Sequence, residues 1–223
     1  ILAQTFFIMT IMIAYGLSSE RQNRLDAGLS LTIRKGALIM GGAVYIQLIL
    51  GAVMRHTASG LAIPDFPTMG GLWIPSFSNE MVENINSILF DLDLDPVWKG
   101  QVIIHFLHRL GAVATLALAL ALAMKVRRAL GQAHAFTKAG YVLLAMIVAQ
   151  AGLGVWTLLS NKAADVATGH VVLGAACLTV ASLMLMAAKR CVFVGEAANA
   201  AERLAKRGEA AALETGQAAT VTV

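Results

Sequence analysis

Charge is scarce in this chain of 223 residues: Asp, Glu, Lys and Arg together make up 13% of it, against 58% hydrophobic residues and a mean hydropathy of +0.72. A soluble domain carries about a quarter charged residues, so a water-exposed globule is excluded. Cysteine is almost missing. Cys177 lies inside an apolar run and Cys191 beyond it, at different levels, which gives no basis for a disulfide. No cluster of Cys, Asp or Glu sits at ligand spacing, which argues against zinc. Also missing are an initiating Met and a basic region ahead of the first apolar run, Ile1–Leu17, so that run does not resemble a signal peptide. It reads as a helix cut near its start, and the chain is expected to be a piece of a longer protein.

What is present is a set of long apolar runs. Crossing a hydrocarbon core of about 30 Å takes about 20 helical residues, and Ile33–Met54, Val97–Met124, Ala139–Leu159 and Ala164–Ala188 all reach that length. The expected fold is therefore an all-α integral membrane protein. Its transmembrane helix bundle has four complete helices after one truncated helix, spans residues 1–191 with a long loop over 55–99, and is followed by a tail over 192–223. Arg21, Arg24, Arg34 and Lys35 fall in the first connection, Lys125, Arg127, Arg128 and Lys138 in the third, and Lys189 and Arg190 after the last helix. By the positive-inside rule these segments and the C-terminus are cytoplasmic, and the acidic 55–99 loop is outside. A multi-pass protein of a bacterial-type plasma membrane, in contact with lipid, is expected. The net charge of +4 is explained by this rule and gives no reason to invoke nucleic acid.

The outside loop holds Gly60, Pro64 and Pro67 as turn residues. Trp73, Pro75 and Phe77 suit an interfacial belt; a loop this long is usually functional or disordered, and its aromatic residues argue for an ordered cap. Two imidazoles and a guanidinium, His105, His108 and Arg109, then stand in an apolar run, where ionisable groups are costly and mark a site or a partner. At about 1.5 Å per residue, His108 lies roughly 15 Å deep and His170 roughly 10 Å, both in the outer half of the membrane. Gln47-x-x-Leu50-Gly51 is echoed by Gln150-x-x-Leu153-Gly154, and His108-x-x-Gly111-Ala112 more loosely by His170-x-x-x-Gly174-Ala175. A helix carrying Gln and Gly is thus twice followed by one carrying His, a pseudo-twofold repeat of the kind that places sites between repeats.

One His on an apolar helix is more often a satisfied core residue than a ligand. Two at matched depth within a repeat favour a ligand pair. Imidazole suits iron, copper and zinc, and haem iron takes axial ligands from helices on both sides of a ring. Gly111, Gly174 and their neighbouring alanines leave room for a flat macrocycle, and Arg109 and Arg55 are candidates to pair with its propionates. His56 either caps a cofactor edge or lies at the interface. Gln47 reads as a helix-to-helix hydrogen bond, His134 as solvated, and the 192–223 segment as a solvated helix or a disordered tail.

The segment Arg55-His56-Thr57-Ala58-Ser59-Gly60-Leu61-Ala62-Ile63-Pro64-Asp65-Phe66-Pro67, the His105-Phe106-Leu107-His108-Arg109 helix and the later His170 helix together resemble the C-terminal half of the haem A synthase family, membrane enzymes of cytochrome oxidase assembly. The resemblance runs from about Ile1 to Arg190, the first run matching the end of the family's fourth helix. It implies eight helices in two halves. The C-terminal pair of histidines, here His108 and His170, holds a b-type haem through its iron, and the N-terminal half oxidises the C8 methyl of haem O to the formyl of haem A. The family's substrate-side glutamate lies three residues before a His-Arg pair; the matching residue here is His105, as a non-catalytic half would show. Many members carry a cysteine pair in the outside loop where this chain has Ile63 and Met69. The implied function is an oxidoreductase of haem A biosynthesis whose catalytic half lies outside this chain. Its substrate is haem O, bound by that other half, and its protein partners are haem O synthase or an electron donor. A stand-alone membrane b-type cytochrome is the alternative. A haem-free transporter is a third reading, and the scarcity of other intramembrane charges counts against it.

Overall fold

In the computed structural model, residues 2–17 and 31–190 are described. The 192–223 tail, Cys191, Arg21 and Arg24 lie outside them. All the regular structure is helical: α1 (Leu2–Leu17), α2 (Leu31–His56), α3 (Asn79–Asp91), α4 (Lys99–Leu130), α5 (Ala135–Leu159) and α6 (Ala164–Arg190), with one 3-10 turn at Ser59–Leu61. Among the described residues, strand pairing amounts to a single bridge between Met69 and Leu72.

Four of these helices, α2, α4, α5 and α6, are long and apolar enough to cross a membrane. They close into a ring in which α2 packs on α4 and α6, and α5 packs on the same two; α1 leans on α6. Large apolar side chains point outward from the ring, among them Leu38, Ile46, Val113, Val142 and Val172. Water would make that arrangement unfavourable, but lipid does not. The chain is a multi-pass membrane bundle.

The helix ends depart from the apolar runs for a local reason. α4 continues past Met124 through Arg127 and Arg128 and stops only at Gly131, whose φ of 77° lies in the left-handed region. Charge ends an apolar run without ending a helix, whereas a left-handed glycine does end one. α5 opens on His134, whose Nδ1 accepts from the N–H of Phe136 at 3.1 Å, so this histidine caps a helix.

The main apolar core fills one end of the ring. Met40 and Val44 of α2, Leu122 and Val126 of α4, Leu143 and Ile147 of α5, and Leu178, Ala181 and Met184 of α6 form one buried cluster. Those residues come from the first halves of α2 and α5 and the second halves of α4 and α6, as an up-and-down bundle requires. Towards the other end, the helices turn glycine, glutamine and histidine inward.

That other end carries the cap, the segment joining α2 to α4. Its helix α3 starts at Ser78, whose hydroxyl accepts from the N–H of Met81 at 3.1 Å, and buries Met81, Ile85 and Leu89 at four-residue intervals. These join Ile63 and Val102 in a second cluster, with Met69, Phe77 and Phe106 packed against it. Phe77 meets Phe106 edge-on, with ring centroids 5.4 Å apart. Asn86 pins the far end of the cap, its amide donating to the carbonyl of Val97 at 3.0 Å and accepting from the same residue's N–H at 2.8 Å. The loop is an ordered cap, as its aromatic content suggested, and it contains a helix that the sequence reading missed.

Candidate paired-histidine site

His108, on α4, stands opposite α2. The side-chain nitrogen of Gln47 lies 3.2 Å from His108 Nδ1 and donates to the His108 carbonyl at 2.8 Å. The ring also lies over Gly51, where an added Cβ would come 3.3 Å from Cε1. The second repeat builds a related arrangement from α5 and α6, through the other ring nitrogen and without the bond to the histidine carbonyl. Gln150 Nε2 lies 3.3 Å from His170 Nε2, and a Cβ on Gly154 would come 3.2 Å from His170 Cε1.

The remaining two glycines of the repeat also match. Each lies under a glutamine: a Cβ on Gly111 would collide with Gln47 Oε1, and one on Gly174 would approach Gln150 Nε2 to 3.1 Å. Substituting either would push the amide off its histidine. The two sets, Gln47–Gly51–His108–Gly111 and Gln150–Gly154–His170–Gly174, are thus a structural repeat.

Three polar atoms of this end are buried without a hydrogen-bond partner: Gln47 Oε1, Gln150 Oε1 and His170 Nδ1. Each such atom costs about 1–3 kcal/mol if nothing meets it, so their concentration in two matched pairs marks the place as built for something more than packing. Neutral imidazoles beside glycines, in an apolar frame, have the donor chemistry of haem iron ligands. The residues present therefore fit the group that the sequence suggested, with His108 and His170 as the donors.

His105 and Arg109 do a different job. His105, 5% exposed, receives the N–H of Ile63 at Nδ1 (3.1 Å) and the Nε–H of Arg109 at Nε2 (3.1 Å). A neutral imidazole has one acceptor nitrogen, so these donors compete for it. The guanidinium goes on to the carbonyls of Ile63 (2.8 Å), Asp65 (3.0 Å) and Thr68 (3.2 Å), with the Phe66 ring 6.0 Å from its carbon. Three of its five N–H groups are thereby engaged with the cap, and a fourth faces His105. Arg55 and His56 are exposed at the end of α2.

The cap segment has its own anchor. The Asp65 carboxylate accepts from the N–H groups of Gly70 (2.7 Å) and Gly71 (2.9 Å), both at positive φ. At Gly70 a Cβ would also press on Met81 and Ile85 of α3. Burial raises the Asp65 pKa, but bonds from the Thr68 side chain and from the N–H groups of Gly71 and Gly70 outweigh it and hold the carboxyl below its ordinary value. A depressed acid stabilises the fold above the ordinary carboxylate range, and that contribution is lost as pH falls through the folded-state pKa. Protection of the Gly70 and Gly71 amides, measured against their intrinsic exchange rates, is therefore expected to hold at neutral pH and to fall only below about pH 4. Asp65→Asn is expected to lower that protection already at pH 7, and protection that does not change with pH in the native chain would contradict the role given to Asp65.

A ring of membrane-crossing helices with a capped end and a repeated glutamine–histidine pair defines a multi-pass helical membrane protein. The model of a family described as cytochrome oxidase assembly protein matches residues 2–182, and the chain belongs to that family. Among curated relatives, heme A synthase of Mesorhizobium japonicum is 30% identical over 174 residues, covering 76% of this chain and 43% of the relative. Heme A synthase of Bradyrhizobium sp. is 32% identical over 61% of this chain and 35% of its own length. That of Methylobacterium sp. is 32% identical over 71% and 41%. The chain thus spans about two fifths of the length of the curated relatives it matches. No solved structure matches.

Ile63 and Met69, the positions at which the sequence departs from the cysteine pair of the family it resembles, meet in the apolar cluster under the cap, Ile63 as a buried member and Met69 packed against it. Sequence reading singled out His108, His170 and the Gln-Gly echo. It did not find that each Gln is the direct partner of its repeat's His, although the echo held that signal. It also gave no sign of the cap carbonyls that receive Arg109.

Proposed function

We propose that this chain is the haem-holding half of a haem A synthase, in which His108 and His170 would hold a b-type haem through its iron. The observation that carries the reading is the repeated set of glutamine, histidine and two glycines, which places one imidazole on α4 and one on α6, the two helices that lie diagonally across the ring. When bound, the haem supplies one-electron redox chemistry at its iron. The chain's own residues hold it and exclude water. α2, α4, α5 and α6 present apolar walls, and the cap latched to Arg109 covers the end where the histidines lie. Arg55 and His56, exposed beside the cap, are the groups available to charged edges of a macrocycle, while Arg109 serves chiefly to fix the cap.

In this reading the oxidation of the haem O methyl belongs to a second four-helix half, with haem O as substrate and with haem O synthase or an electron donor as partner. The positive-inside pattern supports a cytoplasmic C-terminus and a cap on the opposite side of the membrane.

The test is a reduced-minus-oxidised visible spectrum of the purified chain in detergent, prepared with haem supplied. A sharp low-spin b-type signal is the expected result, and no signal at saturating haem overturns the ligand assignment. Supplied with haem O and a reductant, the same chain is expected to leave it unconverted. Formation of haem A by this chain alone would overturn the division of labour.

A further inference from the structure

Two amide oxygens and one ring nitrogen that bond to nothing are concentrated in the two glutamine–histidine pairs, and they call for a physical account. Resting on the ligand reading above, we infer that Gln47 and Gln150 are positioning residues that set where the proton sits on His108 and His170, each turning its amide oxygen to an Nδ1–H when the opposite ring nitrogen is given to iron.

A histidine that ligates a metal through Nε2 must keep its proton on Nδ1, and such a proton is almost always received by an acceptor that fixes the ring and raises the basicity of the ligand. In the structure the Gln47 amide offers its N–H to Nδ1 of His108, which places the ring proton on Nε2. That is a resting tautomer in which Nε2 has no lone pair for a metal. The acceptor needed for the other tautomer belongs to the same amide group: Oε1 of Gln47, buried and unpartnered. Turning about the last side-chain bonds exchanges the two and moves the amide off the His108 carbonyl, which an amide oxygen cannot approach as closely as the N–H does. It gives up the bond from Gln47 Nε2 to the His108 carbonyl, but that oxygen lies within α4 and retains the helical bond every interior carbonyl has.

The second pair differs in one respect that the inference explains. Gln150 faces Nε2 of His170, and Nδ1 is the buried nitrogen without a partner. Turning the ring to match its counterpart brings Nδ1 to the glutamine and frees Nε2. That re-orientation of the ring together with a turn of the amide pairs Nδ1–H with Gln150 Oε1, the two unpartnered atoms of that pair. The glycines beneath the rings and amides leave space for it: a Cβ at Gly51, Gly154 or Gly174 would already be in tight contact.

The experiment uses the chain loaded with haem and four variants, Gln47→Met, Gln150→Met, Gln47→Glu and Gln150→Glu. Methionine keeps the length and loses both polar atoms; glutamate keeps the shape and strengthens the acceptor. The Met variants are expected to bind haem about 10- to 100-fold more weakly, the usual cost of losing such a partner. Their midpoint potential should rise, because the ligand is less basic, and the Glu variants should move it the opposite way. A purely structural glutamine would let Met and Glu act alike. Haem bound through His108 and His170 with potentials unmoved, or moved in one direction by both substitutions, overturns this inference and leaves the ligand reading standing. A native chain that binds no haem overturns both. Where a Met variant fails to fold, the Glu variant carries the same test.

Discussion

Haem binding is expected to collapse when either proposed ligand is removed. In His108→Ala or His170→Ala the chain should lose the sharp low-spin spectrum, keeping at most a high-spin signal from haem held on one side. The fold should survive, because the apolar cluster that holds α2, α4, α5 and α6 together lies towards the other end of the bundle. Each truncation also leaves an imidazole-sized gap over a glycine, Gly51 or Gly154, since neither residue has a side chain to fill it. Free imidazole at millimolar concentration is therefore expected to restore the low-spin signal. Absorption spectra of the variants with and without imidazole decide the matter, and an unchanged low-spin spectrum in either variant would remove that histidine from the site.

The second large effect is expected at Arg109. Arg109→Leu withdraws donors from the carbonyls of Ile63, Asp65 and Thr68 at once, in a stretch with little regular structure to replace them. Leaving even one or two such groups unmet costs on the order of 3 kcal/mol, which corresponds to about 100-fold in the opening of the cap. Hydrogen exchange over residues 63–71 should speed up by about that factor, while amides in the apolar end of the bundle remain protected. Arg109→Lys should rescue little, because a point-like ammonium cannot span three carbonyls as a planar fork does. Unchanged protection in Arg109→Leu would mean that the α3 cluster holds the cap without the latch.

The spans were legible because apolar length is a sufficient signal in lipid, and each of the four runs lies within a few residues of its helix. The misjudged ends have a simple cause. Arg127 and Arg128 leave the apolar run while still obeying α4, which is stopped by Gly131. α3 was missed although its markers were present, Ser78 as a cap and Met81, Ile85 and Leu89 on one face; thirteen residues of mixed polarity within a long loop hide such a period. For Gln47 the bond type was right and the partner was not visible, because a sequence tells which face a residue occupies and not what stands opposite. Arg109 shows the same limit more sharply. A buried guanidinium announces that it has partners, but carbonyls belong to every residue, so nothing in the letters distinguishes those of Ile63, Asp65 and Thr68.

His105, His108 and Arg109 lie within little more than one turn of α4, so the latch and one imidazole share a single rigid rod. The corresponding positions on α6 are Ala167 and Val171, and that side meets the cap through the Lys162 side chain lying over Gly60, a flexible contact. The two halves of the repeat are therefore mechanically unequal. A pull on the cap reaches His108 through a stiff coupling and His170 through a slack one, so symmetry of shape here does not bring symmetry of response.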